Sequence, residues 1–176
     1  MTEENTINNI YANFLGEPGN RKFYILFKKN TGIAVLWVEK DQLISLGRAC
    51  SKLLADNVKE IEKISNKNLY DEIAFPEIPE FELTIIRIGV DFSVPKDKII
   101  MIFDDQESIE NGASPKVRIE VEKKLASHFV NITRELQASG RPTCPLCHKV
   151  LDENGKCILC PKSNGHSKDA DIPKLM

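Results

Sequence analysis

Apolar positions along the chain repeat first with a period of two, then with a period between three and four, and then go through the same change again. Ile10 to Leu15 reads as a strand, the turn Gly16-Glu17-Pro18-Gly19-Asn20 follows, and Phe23, Ile25 and Phe27 then alternate with their neighbours. After Asn30-Thr31-Gly32 comes Ile33 to Val38, apolar on both faces, so the three segments predict a β-meander. A helix is predicted from near Asp41, because Leu43, Leu46, Cys50, Leu53, Leu54, Val58 and Ile61 fall on one stripe. The second half repeats the order. Beyond Phe75-Pro76-Glu77-Ile78-Pro79, strands are predicted over Phe81 to Val90, Lys98 to Phe103 and Lys116 to Val121. A helix with Leu125, Phe129, Ile132 and Leu136 in register closes the half.

The expected fold is therefore α+β: two β-β-β-α units with antiparallel sheets, packed as one domain because neither meander can bury its apolar faces alone. The domain spans 10–140, with halves 10–64 and 81–140 and a linker over 65–80. Both helices are entered through the tripeptide Val-Glu-Lys, at Val38-Glu39-Lys40 and Val121-Glu122-Lys123, which hints at a duplicated unit. Within Phe81 to Val90 the apolar face switches from Phe81, Leu83 and Ile85 to Ile86, Ile88 and Val90, as a bulge or a change of layer would produce.

Ser139-Gly140 offers a left-handed cap to the second helix, and Arg141-Pro142 forces an extended exit. Next comes Cys144-Pro145-Leu146-Cys147 and, nine residues later, Cys157-Ile158-Leu159-Cys160-Pro161. Two C-x-x-C pairs can each offer two thiolates to one tetrahedral ion, with the turn from Asp152 to Gly155 folding the second pair onto the first. The rival readings are a redox pair or four ordinary thiols, and the pairing and spacing favour zinc. The expectation is a zinc ribbon over 141–166, with Cys144, Cys147, Cys157 and Cys160 holding one structural Zn²⁺. His148 and His166 flank the set, either hydrogen-bonding around the ligands or replacing one of them. Residues 1–9 and 167–176 are expected to be flexible.

Composition narrows the function classes. The 176 residues are 41% hydrophobic and 28% charged, which is ordinary globular usage, and the formal charge is −2. That balance argues against a chain built wholly for nucleic acid, although 141–176 holds six Lys and Arg against four Asp and Glu. Met1 to Asn9 is polar and acidic, and no apolar run approaches the ~20 residues of a membrane span, so a cytoplasmic location without membrane contact is expected. In that reducing compartment paired cysteines read as metal ligands.

Other residues have simpler explanations beside the chemical ones. Cys50 lies in an apolar helix stripe and reads as a small hydrophobe. His128, at the edge of the second stripe, reads as a packing residue, and it is the best isolated catalytic candidate. Gly16, Gly19 and Arg21 could wrap an anion, but a hairpin turn explains them equally and the segment opens no helix. Asp104, Asp105, Glu107 and Glu110 could attract Mg²⁺, but they lack calcium-loop spacing and read as a solvated connection.

Three segments taken together carry a resemblance: Gly16-Glu17-Pro18-Gly19-x-Arg21-x-Phe23, the helix entry Val38-Glu39-Lys40-x-Gln42, and the stretch Arg141-Pro142-x-Cys144-Pro145-Leu146-Cys147 with Cys160-Pro161 and Asn164-Gly165-His166. On these the chain resembles an uncharacterised bacterial family, a domain of unknown function, over almost its whole length. Members carry a histidine before a single distal Cys-Pro, whereas this chain has a slightly longer turn with Cys157 and Cys160. The resemblance implies one unit of fold and no particular activity.

No catalytic triad, phosphate loop or dinucleotide motif is recognisable, so whether the protein is an enzyme is left open and the reading leans away from one. The expected function is a non-enzymatic binding or adaptor module for a protein partner. One alternative is RNA or DNA binding through Arg141, Lys149, Lys156 and Lys162 around the ribbon. Another is an enzyme or sensor that takes a phosphate-bearing small molecule at the Gly16 to Arg21 turn.

Overall fold

The segment Lys22–Lys28 has apolar residues on both faces between two lysine ends, and it is buried along all five positions between them, as a strand covered from both sides must be. It is β2, and it pairs antiparallel with β1 (Asn9–Leu15) and β3 (Ile33–Val38), giving the expected meander. The computed structural model describes residues 6–57 and 70–139, together with 144, 146, 156–157 and 166–167, and the chain divides into two units, Met1–Ala138 and Ser139–Met176.

In the first unit β3 leads into α1 (Lys40–Asn57), then come β4 (Glu82–Thr84), β5 (Arg87–Ser93), β6 (Lys98–Asp104), the short α2 (Gln106–Glu110), β7 (Val117–Glu122) and α3 (Lys123–Ala138). The matched Val-Glu-Lys entries behave alike, since Lys40 and Lys123 are each the first helical residue. Val58 and Ile61 of the predicted first stripe lie outside the described residues. Among the described residues no helix is long and apolar enough to cross a membrane.

Three sheet features correct the expectation. The predicted strand Phe81 to Val90 is two strands in two sheets: β4 closes a sheet of order β1-β2-β3-β4, and β5 opens a sheet of order β5-β6-β7. Consecutive amides make the handover. Ile85 N–H donates to Trp37 O of the first sheet at 2.9 Å, and Ile86 N–H donates to Asp104 O of the second at 2.8 Å. The Gln42 side-chain amide covers the corner by donating to Ile86 O at 3.1 Å. The switch of apolar face at Ile85-Ile86 is therefore a change of layer. The second correction is that β4 runs parallel to β3, so the first sheet is mixed, whereas the second sheet is antiparallel as expected. The third is that α2 occupies the connection read as irregular.

At the opposite corner Thr6, ahead of β1, makes an isolated parallel bridge with Glu120 of β7, and Ile7 beside it is buried. The main core draws on both sheets and both long helices. Ile10, Ile25, Phe27 and Leu36 from the first sheet meet Ile99, Met101 and Phe103 from the second and Leu43, Cys50 and Phe129 from the helices. α1 and α3 pack so closely that Gly47 has no room for a side chain, since an added Cβ would stand 2.0 Å from Thr133 Oγ1.

Candidate functional site

Because β2 and β3 alternate, Tyr24, Leu26 and Val35 face away from the main core and form a second, smaller cluster with Ile73. Phe75 rests on it, its ring centroid 5.0 Å from Tyr24 and 5.8 Å from Trp37, while Trp37 and Tyr24 meet edge to face at 5.8 Å. The Trp37 indole N–H donates to the Glu82 carboxylate of β4, which anchors the aromatic group to the sheet edge. Burial pushes the Tyr24 phenol up from its ordinary range, with Tyr11 and Glu72 adding to it, so it stays protonated.

The segment that covers this face ends in an exposed apolar tip. Phe75 is 39% exposed and Ile78 is 89% exposed, and prolines 76 and 79 fix the backbone around Ile78. A large aliphatic side chain presented almost wholly to solvent on a proline-stiffened segment is uncommon as a packing solution and common as a contact point. The segment itself is acidic: residues 70–86 contain Asp71, Glu72, Glu77, Glu80 and Glu82 and no Lys or Arg. Within that run Glu80 is ion-paired to Lys29 at 3.3 Å. The segment therefore combines an exposed apolar tip with an excess of carboxylates. Sequence reasoning passed over it because the Pro-rich stretch read as a linker; the signal was there in the acid-only run flanking Pro-x-Ile-Pro.

The Gly16 to Arg21 turn has the geometry of a hairpin. Gly16 and Gly19 have φ of +102° and +89°, and a Cβ at Gly16 would lie 2.4 Å from Asn20 O, so glycine is required there. Asn20 N–H donates to Glu17 O at 2.9 Å. The Arg21 guanidinium lies over the Phe14 ring at 4.1 Å, and its Nε is buried without a hydrogen-bond partner.

In the second unit β8 (Lys156–Cys157) pairs antiparallel with β9 (His166–Ser167), which sets Cys157 opposite His166 in register. Cys144 and Cys157 are both fully buried, at 0% and 1% exposed. Cys147, Cys160, His148, Arg141, Lys149 and Lys162 lie outside the described residues. Among the described residues no three His, Cys, Asp or Glu side chains stand together as a metal cluster.

His128 packs its ring against Tyr70 at 5.2 Å, and burial lowers its pKa, opposed by Glu135, so it is neutral near pH 7. Cys50 is completely buried and its thiol is pushed up to about 12 by that burial. It should therefore carry on the order of a thousandfold less thiolate than an ordinary cysteine. In iodoacetamide labelling at pH 8 followed by peptide mass spectrometry, Cys50 should stay unmodified in the native protein and react fully in urea. Native labelling at the urea rate would remove Cys50 from the core.

The acidic connection is more ordered than the sequence suggested. Asp104, 1% exposed at the end of β6, accepts from Arg87 Nε and Nη2 at 3.0 and 2.9 Å and from Ser114 Oγ at 2.9 Å, all at Oδ2; its Oδ1 accepts from Lys116 N–H at 3.0 Å. Asp105 caps α2, accepting from Ser108 N–H at 2.8 Å. Burial alone would raise the Asp104 carboxyl, but the hydrogen bonds from Arg87, Ser114 and Lys116, with the Arg87 charge, hold it below the usual range. A carboxylate serving five donors, Ser108 Oγ at 3.4 Å being the fifth, is a loop organiser, and Asp104 and Asp105 do not form a solvated connection.

Comparison with known proteins places one match on this geometry: a family model described as a protein of unknown function, DUF3090, covers residues 3–158. No curated protein and no solved structure matches the chain.

Proposed function

Since the chain belongs to the DUF3090 family, whose function is unknown, the reading rests on its own surfaces, and we propose that it is a non-enzymatic cytoplasmic module that binds a protein partner. The observation that carries this is the solvent-facing Ile78, three residues from the half-exposed Phe75 that packs on Trp37, in a segment rich in acidic residues. The partner it fits offers an apolar pocket with a basic border, because burying Ile78 and half of Phe75 supplies affinity while the carboxylates select against acidic competitors.

In this reading Cys144, Cys147, Cys157 and Cys160 hold one structural zinc in the second unit. Two thiols withdrawn from solvent within so small a unit suit a closed tetrahedral site, and the ion supplies the stability that a core of that size lacks.

The test is affinity purification of the full chain against two variants shown to be folded, Ile78→Asp and the double change Cys144→Ser with Cys147→Ser. We expect one stoichiometric protein that is lost, by at least tenfold, with Ile78→Asp, since an apolar anchor of this size is worth about 1.5–3 kcal/mol. Zinc stoichiometry should fall from one to none in the cysteine variant. Recovery of no defined protein, or equal recovery with Ile78→Asp, would refute the binding reading; unchanged zinc in the cysteine variant would refute the ligand assignment alone.

A further inference from the structure

A groove of about 420 Å³ runs between α1 and α3, and its walls carry positive charge. Arg48 and Lys52 stand on α1 and Arg134 on α3; no Asp or Glu lines the groove, and among the described residues none of these three cations belongs to an ion pair. The protein as a whole has a formal charge of −2, so the local excess runs against the overall balance. Arg48 and Lys52 are four apart on one helix face, a spacing at which like charges repel. Arg134 is already directed into the groove, its Nη2 donating to Ser51 Oγ on the opposite helix at 3.0 Å.

Below the cations the groove is lined by Ile44 and Val130, and it is narrow at the bottom because Gly47 and Thr133 bring the two helices together. The volume lies in the range of small-molecule sites, well short of what a macromolecular backbone tracks along. A planar guanidinium with free N–H groups, a second arginine and a flexible ammonium are the donor set suited to a doubly charged phosphoryl group.

We propose that the α1–α3 groove binds a small phosphomonoester, with Arg48, Lys52 and Arg134 holding the phosphoryl oxygens and Ile44 and Val130 contacting the organic part. This does not depend on the protein-partner reading, whose patch is built from other residues. The anion relieves the repulsion between Arg48 and Lys52, so occupancy also stabilises the helix pair.

Calorimetric titration of the full chain with phenyl phosphate, at matched ionic strength, tests the site. We expect saturable binding of one equivalent, weakened about tenfold in Arg48→Gln and again in Lys52→Gln, as loss of one charge-assisted contact predicts. Both side chains are exposed, so both variants should melt like the parent without ligand. Arg21→Gln, at the hairpin turn, should leave binding unchanged. Absence of saturable binding, binding that survives both groove substitutions, or binding that is lost with Arg21→Gln would each overturn the proposal. So would steeply salt-dependent binding of an RNA oligonucleotide with none of phenyl phosphate.

Discussion

Replacing Asp104 with alanine is expected to destabilise the protein by about 3 kcal/mol, read from urea melts at pH 7. The loss has three sources of unequal weight. Ser114 Oγ and the Lys116 N–H both point at the missing carboxylate through part-buried bonds, and each charge-assisted bond lost costs about 1.5 kcal/mol. Arg87 is 55% exposed, so water recovers much of what its guanidinium loses and the ion pair itself adds little. Asp104→Asn keeps one oxygen acceptor in place and should cost roughly half as much. The pH dependence has a definite sign. Because the folded carboxyl lies below its ordinary 3.8, its stabilisation is complete above that value and is lost as pH falls through the lower folded value. Melts of parent and variant should therefore converge in strong acid; a difference that persisted undiminished there would mean the carboxylate charge is not what stabilises the loop.

Gly47→Val should be comparably damaging, at about 3 kcal/mol, and Gly47→Ala milder, at about 1 kcal/mol. An alanine Cβ would meet Thr133 Oγ1 at 2.0 Å and Thr133 Cβ at 2.7 Å. The hydroxyl cannot easily swing aside, since it donates to Val130 O at 2.8 Å, and the Cβ is fixed to the helix backbone. The helices must separate. Alanine regains up to about 1 kcal/mol from its better helix propensity, which is why its net cost is small. Valine adds two methyl groups at the same crossing and gains no such compensation. Thermal melts decide it, and a Gly47→Ala protein more stable than the parent would show that the helices cross more loosely than drawn.

The sequence made legible whatever depended on local period. β1, β2, β3 and β6 lie within one residue of their predicted ends, and the stripe Leu125, Phe129, Ile132 and Leu136 lies on the helix it predicted. Pairing was less legible. The parallel contact of β4 with β3 joins segments separated by a helix, and nothing in Glu82–Thr84 marks its direction. The Asp104 cluster draws on Arg87 from β5 and on Ser114 and Lys116 from the connection before β7, so a run of acids alone resembled a solvated loop. The cationic groove was hidden because it is made by side chains adjacent only after folding, with Arg134 facing residues of the other helix more than eighty positions earlier in the chain. The two C-x-x-C pairs are the opposite case, since the zinc proposed for them was read from spacing along the chain.

The bridge between Thr6 and Glu120 also orders events in time. A chain emerging residue by residue presents β1, β2 and β3 early, yet the partner of Thr6 is among the last parts of the first unit to appear, and β4 cannot dock beside β3 until α1 has been made. Such distant pairings close slowly, because the entropy of a long loop is lost before the contact repays it. During synthesis the early meander must therefore wait with one apolar face uncovered, which makes that interval the one in which a chaperone has most to hold.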